Sequence, residues 1–336
     1  MRGIAVLPAK RRGDILVRVG FVGVGGIAQA HLKNVTAYPG VELAAVTDID
    51  AGRAADVAKT YGATVYPDHE TMMREAKLDA VYLCIPPFAH GDPERSAIRH
   101  RIPFYVEKPL SVSPELPEAI AKEVEEAGLI TAVGFQLRYV DTAETLRNLL
   151  QGKRLAMVNG HYFCPLVQTP WWRRRALSGG QLVEQVIHIV DLIRYITSDE
   201  VATLYCQEAL RVHTTVPEFD IADVTVTSFT MKSGAIGSLT QSCALPSGWK
   251  AGIDVIADGL AASWTTGELR LTRADGVETV KPEVQDPMAA ADRAFLDAVA
   301  SGSAAGIKST YQDALKTHRI VMAAVRSAKE GRPVAL

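Results

Sequence analysis

Short apolar runs alternate with amphipathic stretches along the first 134 residues. The runs with strand-like composition occupy residues 15–22, 41–47, 64–66, 79–85, 103–106 and 130–134. The stretches with helical spacing lie between them at 27–37, 51–61, 68–76, 90–100 and 114–127, the last with Ser113 as its cap and Pro114 in its first turn. Strands that alternate with helices at this spacing form βαβ units, so we predict an α/β domain over residues 14–138 with a doubly wound parallel sheet.

The pattern changes after about Tyr139, where strand-like runs follow one another with few helices between them. These runs occupy residues 155–163, 200–212, 221–231, 235–243, 251–258 and 261–273. One predicted helix, at about 179–197, interrupts the strands, and two more, at about 287–301 and 309–329, close the chain. Consecutive strands without crossover helices pair antiparallel. We therefore predict an α+β domain over residues 139–336 with a mostly antiparallel sheet.

Length and composition add support for two domains. At 336 residues the chain exceeds the size at which a single hydrophobic core keeps growing. Its formal net charge of −2 is spread along the chain, so we expect neither a nucleic acid nor a membrane as partner. The sequence contains no run of 18 uncharged apolar residues that would span a bilayer. Cys84, Cys164, Cys206 and Cys243 are widely spaced, which favours a reduced, cytoplasmic protein.

The N-terminal residues allow two interpretations. Arg11 and Arg12, followed by an apolar stretch, superficially resemble a twin-arginine export signal. Arg18 interrupts that stretch, and the same residues fit a first strand and its turn. We therefore predict a loose extension over residues 1–13, followed directly by the first strand.

A glycine-rich turn follows the first strand, with the sequence Gly23-Val24-Gly25-Gly26-Ile27-Ala28. Gly25 would let the backbone approach a pyrophosphate, and Ala28 is small enough for a helix to pack closely on the sheet. The N-terminus of the following helix favours negative charge. Glycines also serve ordinary turns, but a strand, this turn and a helix in succession predict a nicotinamide dinucleotide site over these residues.

Asp48 ends the second apolar run, 20 residues beyond Ala28. A carboxylate at this position accepts hydrogen bonds from a ribose 2′-hydroxyl and repels a 2′-phosphate. The alternative is a capping or turn residue, which is the interpretation we prefer for Asp50. The sequence therefore favours NAD over NADP, although Arg53 at the start of the next helix keeps NADP possible.

Three further segments carry motifs that are found together in one family. They read Asp79-Ala-Val-Tyr-Leu-Cys-Ile-Pro-Pro-Phe-Ala-His90, Pro103-Phe-Tyr-Val-Glu-Lys-Pro109 and Val133-Gly-Phe-Gln-Leu-Arg-Tyr139. With the glycine turn and the ending Ser327-Ala-Lys-Glu-Gly331, they resemble the Gfo/Idh/MocA oxidoreductase family over nearly the whole chain. The resemblance implies a Rossmann domain followed by an open, mostly antiparallel sheet, with the substrate bound between the two domains.

The resemblance also implies an activity and an assembly. Family members transfer a hydride between the nicotinamide of NAD(P) and a secondary alcohol or ketone of a sugar, cyclitol or related polyol. Many are dimers or tetramers joined through the second domain's sheet, so we expect a homodimer or homotetramer; an exposed open sheet face also needs covering. Cofactor contacts are implied for Ile85, Pro86, His90, Glu107, Lys108 and Gln136.

Lys108 follows the apolar strand 103–106 directly, at the edge of a parallel sheet where ligands bind. Most lysines are simply solvated surface groups. In the family, however, this lysine hydrogen-bonds the reacting oxygen, and its peptide bond to the next proline is commonly cis. The resemblance therefore implies both properties for Lys108 and Pro109.

Glu184, His188 and Asp191 are spaced so that one continuous helix would carry them on one face. A structural histidine on an amphipathic helix and a metal site are the alternatives, and because no fourth ligand is evident we expect no metal. The segment resembles the family's G-G-x-x-x-D-x-G-x-H-x-x-D signature. Glu184 and Val186 depart from it, since aspartate and glycine are usual there, which makes a catalytic role less secure for Glu184 than for His188.

These residues suggest a mechanism for oxidising an alcohol. A histidine with an ordinary pKa of about 6.5 suits proton transfer near neutrality, and a nearby cation stabilises negative charge on the substrate oxygen. We assign His188 as acid and base, Lys108 as electrostatic partner, and Glu184 as a group that orients or shares the proton. The residues expected to contact the substrate are Lys108, Arg138, Tyr162, Trp172, Arg173 and Asp191, with Gln136, Tyr139 and Trp171 near the same cleft. Trp171 and Trp172 could instead be core or interface residues.

The family resemblance leaves two other classes of function open. One is an NAD-dependent glycoside hydrolase, which oxidises its substrate transiently and releases no net NADH. The other is a sensor of NAD(P) or sugars that keeps the fold without catalysis. Retention of Lys108 and His188 argues against a pure sensor.

Overall fold

The computed structural model of the protein describes residues 17–336. The predicted extension over residues 1–13 and the twin-arginine alternative lie outside the described residues. The first part contains, in chain order, β1 (Val17–Val22), α1 (Gly26–Thr36), β2 (Val41–Thr47), α2 (Ala51–Tyr61), β3 (Thr64–Val65), α3 (His69–Glu75), β4 (Ala80–Leu83), α4 (Asp92–Arg99), β5 (Phe104–Val106), α5 (Leu116–Ala127) and β6 (Thr131–Val133), with short 3-10 helices at Pro87–Ala89 and Gln136–Tyr139.

The first sheet has six strands in the order β3-β2-β1-β4-β5-β6, and every pair is parallel. The strand order reverses at β1, so β2 and β4 flank it and their carboxyl ends open a crevice. All four residues of β4 are buried, because helices cover both faces of the sheet. The structure thus confirms the doubly wound parallel sheet that the alternating pattern predicts.

The predicted start of the helix at 114–127 is wrong by two residues. The Ser113 hydroxyl accepts hydrogen bonds from the backbone N–H groups of Glu115 and Leu116, which forms a turn around Pro114. α5 begins only at Leu116, with Pro117 in its first turn. Proline has no backbone N–H to lose in the first turn of a helix, so a first-turn proline was the correct signal. The proline in that position is Pro117, not Pro114.

The second part contains α6 (Asp141–Leu150), β7 (Leu155–Phe163), α7 (Arg175–Ser178), α8 (Gln181–Glu184), α9 (Ile187–Thr197), β8 (Val201–Ala209), β9 (Val224–Met231), β10 (Ile236–Ser242), β11 (Lys250–Ala257), β12 (Leu260–Thr265), β13 (Leu269–Arg273), β14 (Gly276–Val280), α10 (Pro287–Ser301), α11 (Tyr311–Glu330) and β15 (Val334–Ala335), with short 3-10 helices at Pro170–Arg173 and Ala304–Gly306. Its nine strands form one sheet in the order β14-β13-β12-β11-β7-β10-β9-β8-β15. Only β7 and β10 pair parallel, which confirms a mostly antiparallel sheet.

One face of this sheet packs against α9, and the close fit has a local cause. A Cβ at Gly160 of β7 would lie 2.5 Å from the Ile189 side chain of α9, so only glycine lets the helix approach here. Val158 and Tyr162, which point the same way from β7, are buried. The alternate residues of the strand lie on the opposite face and are partly exposed.

Several predicted elements of the second part are corrected by the structure. The run at 261–273 is a hairpin of β12 and β13, the run at 200–212 ends at Ala209, and the run at 221–231 begins at Val224. The elements α6, α7, β14 and β15 were not predicted, and the single helix at 179–197 is divided into α8 and α9.

α10 returns from the second part to the first sheet. Its Phe295 meets the rings of Tyr82 and Tyr105 edge-on, with centroids 5.5 and 5.8 Å apart. The division of the chain at residue 138 stays a prediction, with α10 packed against the first domain. Within residues 17–336, no helix is long and apolar enough to cross a membrane.

Candidate active site

A cleft of about 1200 Å³ runs along the carboxyl edge of the first sheet and reaches α8 and α9. Its wall includes the glycine turn after β1, Asp48 after β2, Cys84 after β4 and Lys108 after β5. These segments meet because the carboxyl ends of parallel strands share one sheet edge. The second part of the chain closes the cleft at its far end with Glu184 and His188.

The glycine turn needs glycine at its first position. Gly23 has φ of +81°, and a Cβ there would lie 2.4 Å from the backbone oxygen of Cys84. Gly26 begins α1 with nothing within 4 Å of where its Cβ would be, so the helix N-terminus is open to the cleft. Ala28 is fully buried, while Ile27 is exposed and lines the cleft. An anion in the cleft would face the free N–H groups of this helix end.

Asp48 is anchored to the glycine turn. Its Oδ2 accepts the backbone N–H of Val24 at 2.8 Å, and its Oδ1 accepts that of Asp50 at 2.9 Å. The guanidinium of Arg53 lies 3.5 Å from the same carboxylate. Asp50 caps α2 by accepting the Arg53 N–H, which confirms the capping interpretation of Asp50. A carboxylate and a guanidinium therefore stand together at the mouth of the crevice.

Glu107 is held by a buried histidine, itself bonded to Asp292, that the sequence did not indicate as part of the site. His31 of α1 places Nε2 3.1 Å from Glu107 Oε1 and Nδ1 2.6 Å from Asp292 Oδ1 of α10. Burial by itself would lower the pKa of His31, but the hydrogen bonds to Asp292 and Glu107 outweigh it and raise the pKa to about 9. The cation therefore joins α1, the strand-end loop after β5, and α10. Glu107 and Asp292 lie 76 and 261 positions from His31 in the sequence, so no local pattern predicts these contacts.

Lys108 points from the first sheet to α8. Its Nζ donates to the backbone oxygen of Glu184 at 2.8 Å and to Glu184 Oε1 at 3.0 Å. The Lys108–Pro109 peptide bond is cis, as the resemblance implies. An ammonium group has three donors, so these two bonds leave one for a ligand in the cleft.

The division between α8 and α9 follows from this contact. In a continuous helix the backbone oxygen of Glu184 would accept the N–H of His188, four residues later. Here Lys108 takes that oxygen, and the His188 N–H bonds Gln185 O at 3.3 Å instead. The prediction of a single helix is therefore wrong at Glu184, whose backbone carbonyl accepts a hydrogen bond from Lys108 in the site.

His188 lines the cleft and is otherwise buried. Its ring meets Phe135 edge-on at 6.1 Å, and within residues 17–336 its Nδ1 has no hydrogen-bond partner. Burial and the nearby Lys108 ammonium hold the pKa of His188 well below its usual value. The imidazole is therefore neutral at pH 7 and able to accept a proton.

Trp172 contacts Glu184 rather than the cleft. The indole is 1% exposed, and its Nε1 donates to Glu184 Oε2 at 2.8 Å. Its neighbour Trp171 does line the cleft, where it meets Phe88 edge-on with centroids 6.2 Å apart. Phe88 and Thr169 were not among the predicted site residues, although Phe88 lies within a segment that carries the family resemblance.

Two predicted substrate residues are paired with each other in the core. Arg138 donates to both oxygens of Asp191, at 2.6 and 2.7 Å, and Thr317 of α11 donates to Asp191 at 2.9 Å. Arg138 also lies 2.6 Å from Asp313. The structure does not bring Arg138 or Asp191 to the cleft, because Asp191 is buried and bonded to Arg138 and Thr317.

Some of the remaining predicted site residues line the cleft, and others do not. Ile85, Pro86 and Gln136 line the cleft. His90 does not; it is buried, with Nδ1 2.5 Å from Glu94 Oε1. Arg173 bonds Gln168, and Tyr162 packs against Trp249, so neither forms the cleft wall.

Two family models match the chain. One, described as "Oxidoreductase family, NAD-binding Rossmann fold", matches residues 17–135. The other, "GFO/IDH/MocA C-terminal domain", matches residues 145–287. The matched ranges include the glycine turn, Lys108, Glu184 and His188.

Two relatives named as inositol dehydrogenases are similar over most of the chain. Inositol 2-dehydrogenase of Rubrobacter xylanophilus is 27% identical over 257 residues, covering 74% of this chain and 71% of the relative. The Bacillus subtilis protein named scyllo-inositol 2-dehydrogenase (NAD(+)) is 29% identical, covering 76% and 75%. Among solved structures, levoglucosan dehydrogenase in complex with NADH and L-sorbose has a TM-score of 0.86 at 18% identity, covering 95% of this chain and 98% of that one. The last comparison supports the fold alone.

Proposed function

Because this chain belongs to the Gfo/Idh/MocA family of NAD(P)-dependent oxidoreductases, we propose that it is a cyclitol dehydrogenase that oxidises a secondary alcohol of an inositol-like ring with NAD. The observation that carries the proposal is the group of Lys108, Glu184 and His188 at the end of a cleft that begins at a glycine turn. The two relatives named as inositol dehydrogenases support the substrate class.

The residues of the cleft fit a dinucleotide. The open N-terminus of α1 and the turn at Gly23 would hold its pyrophosphate, and Asp48 would accept from its adenosine ribose. Ile85, Pro86 and Gln136 would line the nicotinamide end. When bound, the nicotinamide supplies the hydride acceptor.

The proton is handled by the protein's own side chains. His188 is neutral at pH 7 and faces the cleft, so it accepts the proton of the substrate hydroxyl. Lys108 uses its remaining N–H to stabilise the charge that develops on the same oxygen. Glu184 holds the ammonium in place and neutralises its charge before substrate binds.

The charges of the cleft support an uncharged substrate. Among the described residues that line it, Arg53 is beside Asp48, and Lys108 is paired with Glu184. A carboxylate or phosphate on the substrate would find no unpaired guanidinium or ammonium at the Glu184 end. Trp171 and Phe88 offer apolar ring faces that suit the C–H faces of a cyclitol or pyranose.

Two observations support NAD over NADP. The Asp48 carboxylate would repel a 2′-phosphate, and its two backbone bonds keep it from rotating away. The relative from Bacillus subtilis is named for NAD(+). Arg53 would attract a 2′-phosphate, but it already faces Asp48 and Asp50.

We also propose that the protein is a homo-oligomer in the cytoplasm. The open face of the second sheet carries the exposed apolar residues Val226, Ile236, Ile256 and Val277 on four different strands. Burial of this face between two copies would remove them from water. All four cysteines are buried and free, which suits a reducing compartment.

The test of the proposed function is formation of NADH by the purified protein, followed by absorbance. The substrates are myo-inositol, scyllo-inositol, D-glucose and a sugar acid, each with NAD and with NADP. We expect sustained NADH formation with at least one inositol and with NAD. Cleavage of a glycoside without net NADH, or no turnover of any polyol by protein that binds NADH, contradicts the proposal.

A further inference from the structure

We infer that Trp172 is a positioning residue, which holds the Glu184 carboxylate so that Glu184 in turn aims Lys108 at the substrate oxygen. From the sequence, Trp172 was expected to contact substrate or to lie in the core or an interface, and the structure buries it. The inference rests on the proposed function for its catalytic consequence, whereas the contact between the two side chains stands independently.

The bond between Trp172 and Glu184 has the features of a fixed contact. The indole is one of the largest fully buried side chains in the described part of the chain, so its rotamer is held by packing. Its N–H donates to an ionised acceptor at 2.8 Å, which makes the bond charge-assisted. A buried indole N–H requires such a partner.

The two oxygens of Glu184 consequently have separate partners. Oε2 accepts from Trp172, and Oε1 accepts from Lys108 at 3.0 Å. A glutamate side chain has three rotatable torsions. The hydrogen bond from the indole restricts the last of them, which rotates the carboxylate group. Without this bond the carboxylate could turn about its own axis and release the ammonium.

The orientation of Lys108 depends on that carboxylate. Glu184 accepts two of the three donor directions of the ammonium, one at its backbone oxygen and one at Oε1. The third direction is then fixed toward the cleft. Small errors in such an orientation are costly, because a displacement of about 1 Å can slow a reaction by about 10²-fold.

Adjacent tryptophans have different environments here. Trp171 lines the cleft, whereas Trp172 does not and is turned to the core side of Glu184. Substrate selectivity is therefore expected to depend on Trp171, and the rate of the chemical step on Trp172.

The first experiment compares Trp172→Phe with a matched control, Trp264→Phe. Phenylalanine keeps a buried ring and removes the N–H. Trp264 is also fully buried and donates its indole N–H to Thr142 at 3.1 Å, but it does not line the cleft. We expect Trp172→Phe to lower kcat for the polyol about tenfold or more, with the Kd of NADH unchanged within about twofold. Trp264→Phe should leave kcat within about twofold of the wild type.

A second measurement does not require turnover. Acylation of the Lys108 amine at a fixed pH, quantified by peptide mass spectrometry, reports how firmly Glu184 holds it. We expect Lys108 to react severalfold faster in Trp172→Phe and at the wild-type rate in Trp264→Phe. If folded Trp172→Phe shows both wild-type kcat and wild-type labelling, the inference is overturned. If the wild type oxidises no polyol, the proposed function fails, while the labelling result still decides the role of Trp172.

A double-mutant cycle tests whether Trp172 acts on Lys108 through Glu184. Glu184→Asp shortens the side chain by one methylene, so the carboxylate cannot reach both Trp172 and Lys108. In that background we expect Trp172→Phe to lower kcat by less than twofold further. Independent multiplication of the two effects would mean that Trp172 acts by another route, and would overturn the inference.

Discussion

At the scale of single residues, the protonation of His188 depends on its neighbours. Burial and the Lys108 ammonium both favour the neutral imidazole, so its folded pKa lies well below the ordinary 6.5. Oxidation needs this neutral form as base. The acidic limb of kcat/KM for alcohol oxidation should therefore lie below pH 6.5 in the wild type.

Substitution of Lys108 should change both the rate and this pH profile. In Lys108→Met the oxygen of the substrate loses its cationic donor, and we expect kcat to fall by about 10²-fold or more. Removal of the ammonium also raises the pKa of His188, so the acidic limb should move to higher pH while burial keeps it below 6.5. The control is Lys122→Met, which removes a lysine of an exposed ion pair on α5. A Lys108→Met enzyme with an unmoved limb would show that the two residues are not coupled.

Asp48 and Asp50 provide a matched pair for cofactor selection. Asp48→Ser removes the carboxylate that is anchored to Val24 and leaves Arg53 without its charge partner there. We expect the ratio of kcat/KM for NAD to that for NADP to fall by tenfold or more, because the repulsion of a 2′-phosphate is lost. Asp50→Ser also removes a carboxylate beside Arg53 but retains an N-cap side chain for α2, and should change the ratio little. An unchanged preference in Asp48→Ser would contradict the selector role.

At the scale of elements, His31 joins α1, the loop after β5, and α10 through one buried cation. Its folded pKa of about 9 lies above the ordinary value of about 6.5. The stabilisation is therefore fully present below pH 6.5 and is lost as the pH rises through 9. The difference in unfolding free energy between wild type and His31→Gln should be largest near pH 6 and should shrink by about 1–3 kcal/mol toward pH 10.

A second buried histidine gives the control for this prediction. His318 of α11 bonds the backbone oxygen of Ser113, and burial lowers its pKa to about 4. It is neutral in the folded protein throughout pH 6.5–10. Denaturant unfolding of His318→Gln should therefore show a loss that does not vary with pH over this range. A constant loss for His31→Gln as well would mean that His31 is not a cation in the folded protein.

Elements could be predicted from the sequence where local patterns determine them. The strands β4 and β5 of the first sheet are continuous apolar runs because they are buried on both faces. α6 was missed although Ala143, Leu146 and Leu150 face the core, because its N-cap, Val140, supplies no side-chain hydrogen bond and so no start signal. The hairpin of β12 and β13 was read as one strand because its turn is short.

For the candidate site too, local sequence patterns predicted some features, while contacts between residues far apart in the sequence produced the others. The glycine turn, Asp48 and Lys108 follow strand ends, so their shared edge could be inferred from the order of elements. The break at Glu184 depends on a carbonyl taken by a lysine 76 residues away, which no local pattern records. Asp191 was assigned to the site from its spacing and the family signature, and α9 does carry both His188 and Asp191. Asp191 instead pairs in the core with Arg138, 53 positions away, which no local pattern records.

At the scale of the whole molecule, two sheets of different construction share one cleft. The first contributes strand-end loops that fit a dinucleotide, and the second contributes Glu184 and His188 from the helices on its covered face. Lys108 links them across the cleft through Glu184. The geometry of the candidate site therefore depends on how the two parts pack, whereas the opposite face of the second sheet takes no part in it.

That open face is large enough for a stable interface between two copies. Nine strands spaced about 4.8 Å apart make a surface roughly 40 Å wide, and a standard interface needs only about 800 Å² per partner. Val226 of β9 is 48% exposed and Ile236 of β10 is 59% exposed. Their strands are adjacent, and both side chains lie on the face opposite the buried Leu239. Association would remove this apolar area from water.

The double substitution of Val226 and Ile236 by Glu should therefore dissociate the proposed oligomer, because each copy would bring two carboxylates into an apolar contact. The control is Val212→Glu, which adds a carboxylate at an equally exposed apolar residue in the loop after β8. Light scattering coupled to size exclusion should give an oligomer mass for the wild type and Val212→Glu, and a monomer mass for the double variant. A wild-type monomer, or a double variant of unchanged mass, would mean that this face is not the interface. Since the proposed catalytic residues lie on the other side of the sheet, a folded monomer should still bind NADH with a Kd close to that of the wild type.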